Sequence, residues 1–142
     1  MNEHQQLASV LVAASGAVTL SLGSLHLVYT FLGPKLRPRD AELEGRMKVV
    51  HPGITRQTTM WRAWVGFNAS HSLGCMLFGL LYGYLALVQP AVLFGSTFLG
   101  MVGGAFLLGF VALGKAYWFS TSFRGLVLAS ILYGGGFAAA LA

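Results

Sequence analysis

The sequence predicts an all-α integral membrane protein: a four-helix bundle with a short amphipathic helix in the connection between its first two transmembrane helices. Of the 142 residues, 56% are hydrophobic and only 9% are charged, whereas an ordinary soluble domain has about 25% charged residues. The mean hydropathy is +0.69. A chain with so few charges cannot cover a water-exposed surface. The composition therefore excludes a secreted disulfide scaffold, a nucleic-acid binder and a cytosolic enzyme.

Four apolar segments each meet the requirement of roughly 20 residues for a helix that crosses about 30 Å of hydrocarbon. Lipid offers no hydrogen bonds to the backbone, so helices are expected rather than irregular chain. The first segment lacks the basic residues that begin a signal peptide, and it is longer than the apolar region of one. We therefore expect this segment to be retained as a transmembrane helix and not cleaved. The predicted spans form one domain over residues 1–142 and run over 7–32, 63–88, 91–113 and 123–142.

The connections between the spans differ in character. Residues 89–90 predict a tight turn, and residues 114–122 predict an aromatic turn at the membrane interface. The long first connection predicts a surface helix from Asp40 to Val50, with Asp40 as N-cap and with Glu44 and Lys48 spaced to form an ion pair. Its apolar positions would place it on the membrane surface: Leu43, Met47 and Val50.

The basic residues predict the orientation of the chain. Seven of the nine lie in the first connection: Lys35, Arg37, Arg39, Arg46, Lys48, Arg56 and Arg62. The other two, Lys115 and Arg124, lie between the third and fourth spans, on the same side of the membrane. Because basic residues favour the cytoplasmic side, we expect both connections in the cytoplasm and both termini outside, in a bacterial inner membrane.

Two histidines, His26 and His71, fall inside predicted spans. They lie roughly 10 and 13 Å from the cytoplasmic ends of the first and second spans, so they share a depth. Asn68 precedes His71 by one helical turn. Ionisable residues inside a membrane are candidates for a functional site because burying them unpaired is costly. These side chains predict a polar seam between the first two spans.

The seam has three interpretations. Neutral histidine and asparagine side chains can simply hydrogen-bond between helices. They can instead form a proton-active or ligand-binding site. They can also place two imidazoles as axial haem ligands, although no acidic residue or second cysteine lies at that depth to complete a zinc site. The sequence therefore predicts no metal ligands and leaves the cofactor unknown.

Trp61, Arg62 and Trp64 lie where the second span begins. Arginine binds phosphate through a bidentate fork, and tryptophan favours the headgroup region. This pattern predicts recognition of a lipid headgroup or another anion, although an ordinary interfacial belt has the same composition.

Glycine pairs spaced four residues apart occur in two spans, at Gly79 and Gly83 and at Gly100 and Gly104. Small residues at this spacing let helices approach closely. The pairs predict packing within the chain or, alternatively, a homo-oligomer interface.

Residues 55–74, with the sequence TRQTTMWRAWVGFNASHSLG, resemble a segment of small four-span bacterial membrane proteins of unassigned function. The resemblance implies a four-helix fold and no activity.

The sequence thus predicts a non-enzymatic membrane protein without catalytic residues that binds a hydrophobic or amphipathic ligand, or a partner subunit, at the seam. Its partners would be the lipid bilayer, a lipid or other hydrophobic small molecule, and a second copy or a membrane complex. The predicted binding residues are His26, Trp61, Arg62, Trp64, Asn68 and His71. A bis-histidine redox or haem carrier, or a membrane enzyme, and an oligomeric proton-coupled transporter remain as alternatives.

Overall fold

The structure is a computed structural model that describes residues 3–142, in which all regular secondary structure is helical. Four helices are long and apolar enough to cross a membrane. The predicted all-helical class and the number of spans are confirmed, and they indicate a membrane protein. The helices are α1 (Glu3–Phe31), α2 (Ala41–Val49), α3 (Met60–Val88), α4 (Pro90–Gly95), α5 (Thr97–Tyr117) and α6 (Ser120–Ala140).

The third predicted span, 91–113, differs from the structure because the chain breaks at Ser96. The Ser96 hydroxyl accepts a hydrogen bond from the Leu99 N–H over 3.2 Å and thereby caps α5. Pro90 starts the short α4, where its missing N–H costs nothing. One serine inside an apolar run does not stand out in the sequence, so the break was not predicted.

The predicted interfacial turn over 114–122 is also shorter in the structure. Helix α5 continues to Tyr117, and the Trp118 N–H still bonds to the Gly114 carbonyl over 3.2 Å. Helix α6 begins at Ser120, so only two residues connect the helices. Aromatic residues are compatible with a helical end, and Gly114, where the predicted turn began, lies inside α5.

Helix α2 lies within the predicted range, 40–50. The Asp40 carboxylate caps it by accepting the N–H groups of Glu42 and Leu43, at 2.8 and 3.3 Å. Lys48 Nζ contacts the Glu44 carboxylate at 2.6 Å, as the spacing predicted. None of the α2 residues is buried. Its placement on a membrane surface stays a prediction.

The chain divides into two compact units, one containing residues up to Leu22 and Cys75–Ala142, the other Gly23–Gly74. In the first unit, α1 and α3 approach closely at glycine. A Cβ atom added to Gly16 would lie 2.8 Å from the Gly79 carbonyl oxygen, and one added to Gly79 would overlap the Gly16 carbonyl. Gly79 therefore serves packing within the chain.

The first unit contains a continuous row of aromatic rings from α3, α4, α5, the residue that follows α5, and α6, with neighbouring centroids 4.4–5.8 Å apart. The Tyr82 hydroxyl donates to the Leu99 carbonyl at 2.8 Å, and the Tyr133 hydroxyl donates to the Gly100 carbonyl at 3.0 Å. Both tyrosines are thus anchored on α5. In order, the row is Trp118, Phe110, Phe106, Phe78, Tyr82, Tyr133, Phe137 and Phe94.

Candidate functional site

The second unit brings polar side chains of α1 and α3 together. His26 Nε2 lies 2.9 Å from Asn68 Oδ1, and the ring of His71 lies 5.1 Å from that of His26, centroid to centroid. All three side chains are partly buried. We call His26, Asn68 and His71 the histidine cluster.

The hydrogen bonds of Asn68 determine which nitrogen of His26 carries the proton. Asn68 Nδ2 donates to the Trp64 carbonyl over 2.8 Å, and a carbonyl can only accept, so the amide cannot be turned around. The Asn68 Oδ1 atom therefore faces His26 and must accept a hydrogen bond from it. His26 thus donates from Nε2, and its Nδ1 is a hydrogen-bond acceptor when the ring is neutral.

The two imidazole rings meet edge to face, with 65° between their planes. Two imidazoles that bind one metal ion from opposite sides hold their centroids about 6 Å apart, given a metal–nitrogen distance of about 2.1 Å. A haem macrocycle would also have to lie between them. The rings of His26 and His71 contact each other directly, and His26 Nε2 is engaged by Asn68. This arrangement does not fit axial haem ligation.

Within residues 3–142, no group of three or more histidine, cysteine or acidic side chains is placed to hold a metal ion.

The hydroxyls next to the histidine cluster are bonded to the backbone of their own helices. The Thr30 hydroxyl donates to the His26 carbonyl, and the Ser72 hydroxyl donates to the Asn68 carbonyl, both over 2.8 Å. Both hydroxyl protons therefore satisfy carbonyl groups of the helix backbone.

Trp64 connects the histidine cluster to the chain that follows α1. Its carbonyl accepts the Asn68 amide, and its indole Nε1 donates to the Leu36 carbonyl over 3.0 Å. The Trp64 side chain remains 43% exposed. The carbonyl of Leu36 has no signal in the sequence, because any residue type supplies one.

Trp61 lies in the first turn of α3 and faces a cation. Lys48 Nζ lies 5.4 Å from the centroid of its ring, within cation–π range. The same ammonium binds Glu44, whose carboxylate is also 4.0 Å from Arg37. The hydrogen bond from Lys48 is the main cause that lowers the pKa of Glu44 below its ordinary value. The sequence predicted the pair of Glu44 with Lys48 but not the contact with Trp61.

Arg62 is exposed in the first turn of α3. The Thr59 hydroxyl caps this end by accepting the Arg62 N–H over 3.3 Å. The helix has no acidic residue in its first turn. A cation is unfavourable at the positive end of a helix dipole, so a nearby anion would offset both the side-chain charge and the dipole.

Of the six predicted site residues, the structure brings His26, Asn68 and His71 into one cluster and joins it to Trp64 through a carbonyl. Trp61 and Arg62 lie at the start of α3, about one to two helical turns before Asn68. Comparisons with protein-family models, with curated proteins and with solved structures gave no match.

Proposed function

We propose that this protein binds an amphipathic small molecule at the histidine cluster, with the polar end of the molecule on His26, Asn68 and His71. The observation that carries the proposal is the set of hydrogen bonds that leaves His26 Nδ1 as an acceptor inside an apolar span. Among residues 3–142, the ring of His26 has its hydrogen bond only through Nε2.

An acceptor without a donor is costly away from water. Placing the imidazole of His26 and the amide of Asn68 on two apolar helices is a further cost, which their hydrogen bond only partly offsets. A ligand that donates a hydrogen bond, for example from a hydroxyl group, would satisfy His26 Nδ1. The chemistry of the cluster therefore favours a molecule with a hydrogen-bond donor at its polar end.

The surroundings supply the apolar half of such a site. Leu25 and Val28 lie beside His26 on α1, and Phe67 precedes Asn68 on α3. All three are exposed, Phe67 by 75%. An acyl or prenyl chain would pack along these side chains through van der Waals contacts while its polar end reached the cluster.

We also propose an orientation of the chain in the membrane. The nine basic residues support placing both connections in the cytoplasm and both termini outside a bacterial inner membrane. In that orientation Arg62 would lie at headgroup level. An anionic headgroup there would offset the unfavourable placement of a cation at the positive end of the α3 dipole. A reporter that is active only in the cytoplasm, fused after Ala142, should be inactive; activity would contradict this orientation.

Native mass spectrometry of the full chain, extracted in a mild detergent, tests the binding. We expect a retained small molecule that is reduced at least fivefold in His71→Phe and in Asn68→Ala. Ser70→Ala is the matched control, because Ser70 lies between these positions, is exposed and bonds only to the Phe67 carbonyl. Equal retention in all variants, or no retained molecule, would contradict the proposal. A retained protein chain would identify a partner subunit or a second copy instead.

A further inference from the structure

The chain between α2 and α3 forms a closed loop, residues 50–60. The Met60 N–H bonds to the Val50 carbonyl over 2.8 Å and joins the two ends. Inside the loop, His51 Nδ1 lies 2.7 Å from the Thr58 carbonyl. A carbonyl only accepts, so Nδ1 carries the proton and donates. These two bonds give the 50–60 loop a defined shape at the start of a membrane-crossing helix.

The tip of the 50–60 loop is apolar. The Thr55 N–H bonds to the Pro52 carbonyl over 3.2 Å, which makes a tight turn with Gly53 and Ile54 at its centre. Ile54 is 93% exposed, more than any other large hydrophobic side chain in residues 3–142. Leu43 and Val49 on α2 are exposed as well. Together these side chains form an apolar set outside the spans.

The same part of the chain is strongly basic. Residues 33–62 contain seven basic and three acidic side chains. One of the three, Glu44, is already engaged by Lys48 and Arg37. Arg56 follows Ile54 by two residues and is exposed. Basic clusters next to a membrane helix bind anionic lipid surfaces, and exposed apolar side chains add insertion.

We propose that the 50–60 loop inserts Ile54 into the interface of an anionic lipid leaflet, while Arg46 and Arg56 contact lipid phosphates. The occupant is the leaflet of the membrane that α1 and α3 cross. Met60 both closes the loop and begins α3, so the loop adjoins a helix that is long and apolar enough to cross a membrane. The charge of the connection selects an anionic leaflet over a neutral one. The proposal goes beyond the histidine cluster and does not depend on it.

The test uses the full chain with Cys75→Ala, which removes its only cysteine, and a fluorophore on Ile54→Cys. Gln57→Cys, at an exposed polar position of the same loop, is the matched control. The protein is reconstituted into vesicles of phosphatidylcholine, with or without phosphatidylglycerol, that contain a lipid-borne quencher. The quencher reaches both leaflets, so either orientation of the protein is reported.

We expect the label at position 54 to be quenched strongly in anionic vesicles and weakly in neutral vesicles or at high salt, with a smaller change at position 57. Adding Arg56→Gln should weaken the membrane-inserted state about fivefold, the effect of one basic residue near the surface. Equal quenching in both vesicles would contradict the role of charge. A label at position 54 that is not quenched by the lipid-borne quencher would overturn the proposal. So would a label that becomes shielded from water only when another protein is added. Variants that lose the ligand at the histidine cluster should show the same quenching at position 54.

Discussion

His26 donates a hydrogen bond from Nε2 to Oδ1 of Asn68, 2.9 Å away, and so links α1 to α3 inside the second unit. The bond is made by two side chains that would each be unfavourable in an apolar span alone. It also sets the register of the two helices locally, since a shift by one residue would separate the groups. The same bond fixes the His26 tautomer and thereby the chemistry available to a ligand.

The coupling between His26 and Asn68 should be measurable by a double-mutant cycle. We expect His26→Ala and Asn68→Ala to destabilise the protein by less together than the sum of their separate effects, with a coupling of about 0.6–1.7 kcal/mol. The measurement is thermal or denaturant unfolding in detergent. A cycle that pairs His26→Ala with Ser70→Ala should show no coupling, because Ser70 bonds within α3. Additive effects in the first cycle would contradict the bond.

Gly79 and Gly83 provide a matched pair, since they belong to the same motif but differ in their surroundings. A Cβ atom on Gly79 would overlap the Gly16 carbonyl, while one on Gly83 meets nothing within 4 Å. We expect Gly79→Ala to lower the free energy of unfolding by about 1–3 kcal/mol, the usual cost of overpacking. Gly83→Ala should be close to neutral. Equal effects of the two substitutions would show that α1 and α3 do not pack through Gly79.

The hydroxyl of Tyr133 contributes a hydrogen bond to α5 that its ring contacts do not replace. Tyr133→Phe keeps the aromatic row but leaves the Gly100 carbonyl without this donor. We expect a loss of about 1 kcal/mol in the free energy of unfolding. Tyr84→Phe is the control, because Tyr84 is 55% exposed. If the control lost as much stability as Tyr133→Phe, the hydrogen bond would not be the cause.

The sequence predicts the features that depend on hydrophobic length and on local caps. The four spans and the Asp40 cap follow from residue type and spacing alone. The break at Ser96, the closure of the 50–60 loop and the bond from Trp64 to Leu36 do not. Each depends on a backbone group or a single hydroxyl, and residue identity carries no information about which carbonyl will lie nearby.

The same distinction applies to the histidine cluster. Matching depth predicts that His26 and His71 are close, but the tautomer of His26 depends on the carbonyl of Trp64, which has no signature in the sequence. Arg62 and Trp61 were predicted to meet a headgroup or another anion where the second span begins. They lie at the start of α3, where Trp61 faces Lys48 of the connection, and their role in binding stays a prediction.

The stability of α2, in the connection between α1 and α3, should depend on pH through Glu44. Because the Lys48 hydrogen bond lowers the pKa of Glu44 in the folded chain, the carboxylate stabilises α2 above its ordinary pKa of 4.5. This contribution is lost as the pH falls through the lowered value. Amide exchange in α2, corrected for intrinsic rates, should show protection decreasing in that range. Glu44→Gln should remove the pH dependence, while a persistent response in that variant would assign it to another group.

The purified protein should show no haem absorption, because the rings of His26 and His71 contact each other and Asn68 engages His26 Nε2. Binding haem would require that hydrogen bond to break and the rings to separate enough to admit a macrocycle. Visible spectra should therefore lack a Soret band, both as purified and after addition of hemin. A stoichiometric band that disappears in His26→Ala and in His71→Ala, but not in His51→Ala, would establish the redox alternative. It would also mean that α1 and α3 adopt a second arrangement around these residues.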